Sequence, residues 1–235
     1  MVFYNNKINV KKIIFLQEED EYDFIEEPDE IDPDAEANKV KFRISVVVTT
    51  AFVSVLWLVK IFEHYTKTDL SFLGVYPMKA AGLVGILTAP LIHGDFSHLA
   101  SNSITLFVLM IFLFYAYINS SLRVFMIIYF LPNVIVWFLA RPAYHIGASG
   151  VVYGILAFLF FVGLVRRDTR SIGLSLLVTF LYGGLVWGIL PYDPAVSYEA
   201  HISGAAVGIL CAILFRNSDP KPPKYEWEED ETINS

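Results

Sequence analysis

The sequence has 235 residues, of which 55% are hydrophobic and only 17% are charged, and its mean hydropathy is +0.53. Soluble domains carry about 25% charged residues, so a soluble globular fold is excluded for most of the chain. The net charge of -7 excludes the basic surface typical of nucleic-acid-binding proteins. The single cysteine, Cys211, excludes an internal disulfide and provides no metal-binding pattern.

Charge is concentrated at the two ends of the chain. Of the 24 acidic residues, 12 precede Val40 and 6 follow Arg216, which leaves 6 for the region between them. Acidic, proline-containing segments with few apolar residues cannot form a core. The sequence therefore predicts a disordered tail at 1–40, a membrane domain at 41–216 and a second disordered tail at 217–235. The apolar stretch 13–16 is too short for the core of a signal peptide, so none is expected.

Six apolar runs approach the length of about 20 residues that a membrane-spanning helix requires. In chain order they lie at 44–62, 100–119, 123–140, 149–165, 171–190 and 199–215. A seventh run at 72–92 contains Lys79, Pro77 and Pro90, which favours an interfacial or re-entrant segment over a span. The predicted fold class is an all-α polytopic membrane protein with six transmembrane helices.

Basic residues predict the orientation of these spans, because Lys and Arg are enriched on the cytoplasmic side. With the N-terminus inside, the inner flanks hold Lys39, Lys41, Arg43, Arg123, Arg166, Arg167, Arg170, Arg216, Lys221 and Lys224. The outer flanks hold only Lys60, Lys67, Lys79 and Arg141. Both termini are therefore expected in the cytoplasm, and all five histidines fall in the outer half.

Three polar residues from different spans fall at one depth. At about 1.5 Å per residue, Ser149 lies roughly 25 Å from Arg166 along its helix, and His201 and Asn102 lie at similar distances from the inner ends of theirs. Polar side chains are costly at that depth without partners or water. A shared site just below the outer surface is the simplest explanation.

Small residues predict which spans meet. Pairs of glycines four residues apart occur in the fourth span at Gly150 and Gly154, and in the sixth at Gly204 and Gly208. This spacing lets transmembrane helices approach closely, which would bring His201 toward Ser149. Tyr153 follows Ser149 by four residues, so it shares that helical face and is expected to pack beside the imidazole.

Three sequence motifs resemble those of the rhomboid intramembrane serine proteases. GASG at 147–150, followed by Tyr153 and Gly154, resembles GxSGxxxG. AHISG at 200–204 resembles AHxxG, and HGDFSHLASN at 93–102 resembles HxxxxHxxxN. Each motif alone is weak, but the three occur in the order and on the spans typical of the family. The resemblance implies a rhomboid-like six-transmembrane-helix bundle with an interfacial first loop.

The resemblance also implies a serine endopeptidase that cleaves transmembrane-helix substrates near the outer face of the membrane. Ser149 would be the nucleophile and His201 the general base. The only acidic residue within a span is Glu199, which lies two residues from His201 and faces elsewhere, so a Ser-His dyad is expected. His98, Asn102 and the Ser149 backbone N–H would stabilise the oxyanion.

Supporting roles come from the same family comparison. Tyr153 would orient the base, the motif glycines Gly147, Gly150 and Gly204 would permit close packing, and His93 would hold the first loop. Substrate admission would involve movement of the fifth span, with Phe180 and Trp187, and of the loop 190–198. One departure is the Trp-Arg pair that many members carry before the threonine matched to Thr88. The sequence here reads LVGI at 83–86, which puts the anchoring of that loop in doubt.

Other interpretations remain open. A catalytically silent rhomboid-like protein would bind membrane segments or assist their extraction, although retention of Ser149 and His201 argues against it. A metal site is disfavoured because HExxH is absent, and a small transporter because no inverted repeat is visible. A hydrolase nucleophile elbow fails at Val151, where GxSxG requires glycine. No cofactor is expected; the expected partners are lipid bilayer and transmembrane substrates, in a bacterial inner membrane. His64 and His145 receive no role, and the oligomeric state is left open.

Overall fold

Apolar helices make up most of the described part of the chain, residues 33–222, in this computed structural model. The long helices in chain order are α1 Pro33–Thr66, α3 Phe96–Ala116, α4 Ser121–Leu139, α5 Ser149–Arg166, α6 Thr169–Tyr182 and α7 Tyr198–Leu214. The short α2, Gly85–Thr88, lies in the loop between α1 and α3. A 3-10 segment, Gly183–Ile189, continues α6. The predicted all-α polytopic fold is confirmed.

Five of these segments are long and apolar enough to cross a membrane, and α7 is a further apolar helix of 17 residues. The run 72–92 is divided among 3-10 turns and α2, as expected of a segment that does not span. An antiparallel bridge joins Val75 of this first loop to His145, just before α5. The first loop is thereby attached to the segment that leads into the candidate nucleophile.

α5 lies at the centre of the bundle. In its most apolar window 61% of the residues are buried, compared with 11% for the α6 segment Thr169–Ile189. α5 contacts α3, α4, α6 and α7, and its most extensive contact is with α7. The ring of Phe158 on α5 packs edge-on against Tyr117 at 5.3 Å. The central helix thus carries Ser149 at its N-terminal end, whereas α6 is a loosely packed peripheral helix.

Glycine makes the contact between α5 and α7 possible. A Cβ built on Gly204 would collide with the Gly150 carbonyl oxygen, and one on Gly208 with the Gly154 carbonyl oxygen. A Cβ on Gly208 would also lie 3.0 Å from the backbone nitrogen of Phe158. Because these neighbours are backbone atoms, they cannot rotate away. The close approach predicted from the two glycine pairs is therefore present.

This packing leads to a stability prediction. Gly208→Ala should lower the thermal stability of the detergent-solubilised protein, because overpacking of a tight interface typically costs about 1–3 kcal/mol. The matched control is Gly173→Ala on α6, where nothing lies within 4 Å of an added Cβ. Helix propensity alone favours alanine over glycine by about 1 kcal/mol, so the control should be neutral or stabilising. Equal melting temperatures for the two variants would contradict the packing argument.

The boundaries of both predicted tails need correction. Residues 33–40 of the predicted disordered tail belong to α1. At the other end, Asp219 is 5% exposed. Its carboxylate accepts hydrogen bonds from the Asn119 N–H and the Ser120 hydroxyl. The remainder of the predicted tails, 1–32 and 223–235, lies outside the described residues.

Candidate active site

Ser149 is the first residue of α5 and is half-buried. Two residues earlier, Gly147 has a φ of +107°, a conformation that favours glycine. A Cβ on Gly147 would also lie 2.8 Å from His98 Cε1 and 3.7 Å from Asn102 Nδ2. Glycine is therefore required here for conformation and for space, and the backbone leading into Ser149 lies directly against the α3 side chains of the site.

His98 and Asn102 lie one turn apart on α3, which begins at Phe96 because the Asp95 carboxylate accepts the His98 N–H at 2.8 Å. Asn102 is 7% exposed, and its Nδ2 has no hydrogen-bond partner among the described residues. An unsatisfied buried donor costs about 1–3 kcal/mol. A buried donor of this kind requires an explanation, such as a catalytic role or an ordered water.

His201 lies buried on α7, with its Nδ1 2.7 Å from the Gly188 carbonyl oxygen. Because a carbonyl only accepts, Nδ1 carries the proton and the neutral ring presents Nε2 as its acceptor. The Tyr153 ring stacks on the imidazole at 4.1 Å between centroids and 10° between planes. The Tyr153 hydroxyl donates to the Leu185 carbonyl at 2.7 Å. Both rings are therefore fixed by the 3-10 segment that follows α6.

The helices that carry Ser149 and His201 contact each other at the adjacent residues, Gly150 and Ala200. A Cβ on Gly150 would lie 3.3 Å from the Ala200 carbonyl oxygen. Glu199 faces away from the imidazole, as expected, and its carboxylate pairs with Arg141 at 3.4 Å. The imidazole Nδ1 is thus held by a backbone carbonyl, in the position where a triad would use a carboxylate.

His93 is 1% exposed and lies between the first loop and α5. Its Nε2 accepts the Ala148 N–H at 3.4 Å, and its carbonyl accepts from Lys60 Nζ at 2.8 Å. Burial lowers the pKa of His93 to about 4, so the ring is neutral at physiological pH and available as an acceptor. His93 therefore connects α1 and the first loop to the residue before Ser149.

Other contacts anchor the first loop, although the Trp-Arg pair is missing. The Thr88 hydroxyl donates to the Leu73 carbonyl at 2.5 Å within the loop. From α4, the Tyr129 hydroxyl donates to the Leu87 carbonyl at 2.7 Å, and Trp137 Nε1 donates to the Lys79 carbonyl at 3.0 Å. The doubt raised by the sequence at 83–86 is thereby resolved, because α4 holds the loop.

Comparison with known proteins identifies the family of this chain. The family model of the Rhomboid domain matches residues 80–218, which is more than half of the chain. An uncharacterized protein of Mycobacterium tuberculosis is 35% identical over 179 residues, covering 72% of this chain and 75% of its own. An uncharacterized protein of Mycobacterium leprae is 31% identical over 200 residues, covering 80% and 79%. The chain belongs to the rhomboid family.

The matched rhomboid region contains every candidate site residue, from His93 to Gly204, and begins after α1. Helix α1 nevertheless contacts α3 and donates the Lys60 hydrogen bonds to the loop of His93. Several apolar helices together with the rhomboid domain make this an integral membrane protein.

Sequence reasoning missed several residues of this rhomboid site. Gly188 supplies the carbonyl that fixes His201, and a Cβ there would collide with the Tyr153 hydroxyl. His145, which received no role, is 4% exposed and lies 2.6 Å from the Ser197 hydroxyl. Neither residue lies in the motifs or on a helical repeat with the dyad. The burial of His145 is visible only in the structure, so the sequence contains no signal that distinguishes these two residues.

Proposed function

We propose that this rhomboid is an intramembrane serine endopeptidase that cleaves transmembrane-helix substrates near the outer face of the membrane. Ser149 is the nucleophile, and His201 is the general base. The observation that carries the proposal is the contact of His201 Nδ1 with the Gly188 carbonyl oxygen at 2.7 Å. A carbonyl only accepts, so this contact assigns a proton to Nδ1 and leaves Nε2 of the neutral ring to accept the serine proton. Contact between Gly150 and Ala200, one residue from each member of the dyad, supports their pairing.

The reaction follows from these groups. The Ser149 oxygen attacks the scissile carbonyl carbon while the serine proton passes to His201 Nε2. The carbonyl oxygen thereby becomes the oxyanion of a tetrahedral intermediate. The Ser149 N–H and the side chains of His98 and Asn102 donate to that oxyanion. The imidazolium then protonates the leaving amine as the C–N bond breaks, leaving an acyl-enzyme. Water attacks the ester with His201 again as base, which releases the carboxylic acid and regenerates the serine.

The depth of the site supports cleavage beside the membrane surface. α5 has 18 residues from Ser149 to Arg166, which is about 27 Å at 1.5 Å per residue. A hydrocarbon core is about 30 Å thick, so Ser149 lies near one boundary when Arg166 marks the other. The basic residues at the Arg166 end favour the cytoplasm for that side. Both termini then lie in the cytoplasm, and the site faces the outer surface of a bacterial inner membrane.

Cysteine accessibility tests this orientation. In a Cys211→Ala background, Thr66→Cys and Ala195→Cys should react with a membrane-impermeant thiol reagent added to intact cells. Asn217→Cys should react only after permeabilisation, although all three positions are exposed in the structure. The reverse labelling pattern would place the site on the cytoplasmic side.

Reconstituted protein tests the activity itself. Purified wild-type protein in liposomes, incubated with a reporter containing one transmembrane helix, should release two fragments cut near the outer end of the helix. EDTA should leave the rate unchanged, because no step uses a metal. Loss of activity in EDTA and recovery with zinc would favour a metal enzyme. Intact reporter, with Ser149 unreactive toward a fluorophosphonate, would favour the catalytically silent alternative.

A further inference from the structure

His145 and Ser197 form a hydrogen-bonded pair beside the dyad. His145 lies in the loop between α4 and α5, and its Nε2 is 3.0 Å from the Arg141 carbonyl oxygen. Because that carbonyl only accepts, Nε2 carries the proton. The Nδ1, 2.6 Å from Ser197 Oγ, therefore accepts a hydrogen bond from the Ser197 hydroxyl. Both ring nitrogens are occupied, so His145 has no role in proton transfer.

Ser197 is also the N-cap of α7. Its hydroxyl oxygen accepts the Ala200 N–H at 3.3 Å, and its carbonyl accepts the His201 N–H at 3.3 Å. Ser197, the hydrogen-bond partner of His145, therefore belongs to the first turn of α7, which contains His201. His145 itself lies four residues before Ser149, as Ser197 lies four residues before His201. One hydrogen bond thus joins the two segments from which nucleophile and base project.

Arg141 and the first loop fix the backbone on either side of this pair. Arg141 Nη2 donates to the carbonyls of Pro194 at 2.9 Å and Val196 at 2.7 Å. On the other side, the backbone N–H and carbonyl of His145 bond to Val75 at 2.9 and 3.0 Å. The His145 ring is therefore fixed in position and cannot follow Ser197 if the start of α7 shifts.

We propose that His145 and Ser197 are positioning residues, and that their hydrogen bond sets the separation of Ser149 and His201. This inference rests on the proposed function. A displacement of about 1 Å in a catalytic group can reduce turnover on the order of 100-fold. The loss of one neutral hydrogen bond is a modest change, and we expect it to allow a smaller displacement than that. The pair should therefore affect turnover more strongly than substrate binding or folding.

The test compares variants that remove the hydrogen bond with or without the helix cap. His145→Leu removes the His145–Ser197 bond, together with the bond from Nε2 to the Arg141 carbonyl, and retains the cap. Ser197→Ala removes the His145–Ser197 bond and the cap. Ser197→Asn retains a capping oxygen and an N–H that can donate to His145. Ser120→Ala is the control, because it deletes a buried hydroxyl that bonds Asp219 at the inner end of the bundle.

The first measurement is the rate at which a small fluorophosphonate labels Ser149, which does not depend on admission of a helix. His145→Leu and Ser197→Ala should label on the order of 10-fold more slowly than wild type. For cleavage of the transmembrane reporter, the same variants should show an equal reduction in kcat and an unchanged KM. The double variant should be little slower than the slower single variant, because both single variants remove the same His145–Ser197 hydrogen bond. Ser197→Asn should recover most of the rate, and Ser120→Ala should label at the wild-type rate.

The outcomes separate this inference from the proposed function. If wild type reacts at Ser149 and folded His145→Leu reacts equally fast, the positioning role is overturned and the protease proposal stands. Rates that fall only in parallel with melting temperature, or a double variant whose losses add, would also overturn it. If wild type does not react at Ser149, the proposed function fails, and the positioning role fails with it.

Discussion

Ser149→Ala is expected to abolish cleavage of a transmembrane reporter, with a loss of about 10⁴–10⁶-fold in kcat, as for removal of a nucleophile that acts as a unit with its base. No other group replaces it: the hydroxyl is the atom that forms the acyl-enzyme. His201→Ala should cost nearly as much, because the serine is a poor nucleophile without an acceptor for its proton. The measurement is single-turnover cleavage in liposomes at saturating reporter.

The double variant, Ser149→Ala with His201→Ala, strengthens this test. Residues that act as a unit are not additive, so the double variant should be no less active than Ser149→Ala alone. Thermal melting must show that each variant is folded, since His201 also bonds Gly188 and stacks on Tyr153. Turnover by folded Ser149→Ala that approaches the wild-type rate would end the serine-protease proposal, because another nucleophile would have to perform the chemistry.

Asn102→Ala is expected to have the second largest effect, a decrease in kcat of about 10²–10³-fold with KM nearly unchanged. Its Nδ2 is a buried donor without a partner among the described residues, directed toward the backbone at Gly147. Charge develops on the scissile carbonyl oxygen only in the transition state, so loss of the donor affects turnover and leaves ground-state binding intact. The Ser149 N–H and His98 remain, so activity should be reduced but detectable.

The adjacent residue provides a matched control for Asn102. Ser103 lies on the same helix and is also 7% exposed, but its hydroxyl bonds Leu99 and accepts from Trp57 on α1. Ser103→Ala should therefore lower stability slightly and leave kcat within about two-fold of wild type. If folded Asn102→Ala turns over like Ser103→Ala, Asn102 is only an interhelical hydrogen-bonding residue and does not contact the oxyanion.

Much of this fold is predictable from sequence, because a bilayer imposes a simple rule. Each span must be apolar and about 20 residues long, so α3 to α7 are predicted within a few residues, whereas α1 begins at Pro33 and the predicted span at 44. The ends are predicted less well. Asp95 and Ser197 extend α3 and α7 by accepting backbone N–H groups, whereas hydropathy only detects the apolar interior. Beyond the end of α7, buried Asp219 shows that an acidic residue after the last span can belong to the packed domain.

The residues of the candidate site also differ in how well the sequence predicts them. Ser149, His201 and the glycine pairs are accessible to sequence reasoning, since spacing on a helix fixes which residues share a face. The Gly188 carbonyl and the His145–Ser197 hydrogen bond are not, because each joins a side chain to a segment with no periodic relation to it. Such contacts depend on how loops lie between helices, and only the folded chain reveals them.

Covalent labelling of Ser149 tests the central proposal most directly. Wild-type protein in liposomes is treated with a fluorophosphonate and digested, and the adduct is mapped by mass spectrometry. The adduct is expected on the peptide containing Ser149, with His201→Ala reducing its rate of formation and Ser120→Ala leaving it unchanged. An unmodified Ser149 in folded wild-type protein, or labelling that is indifferent to His201, would contradict the Ser149–His201 dyad.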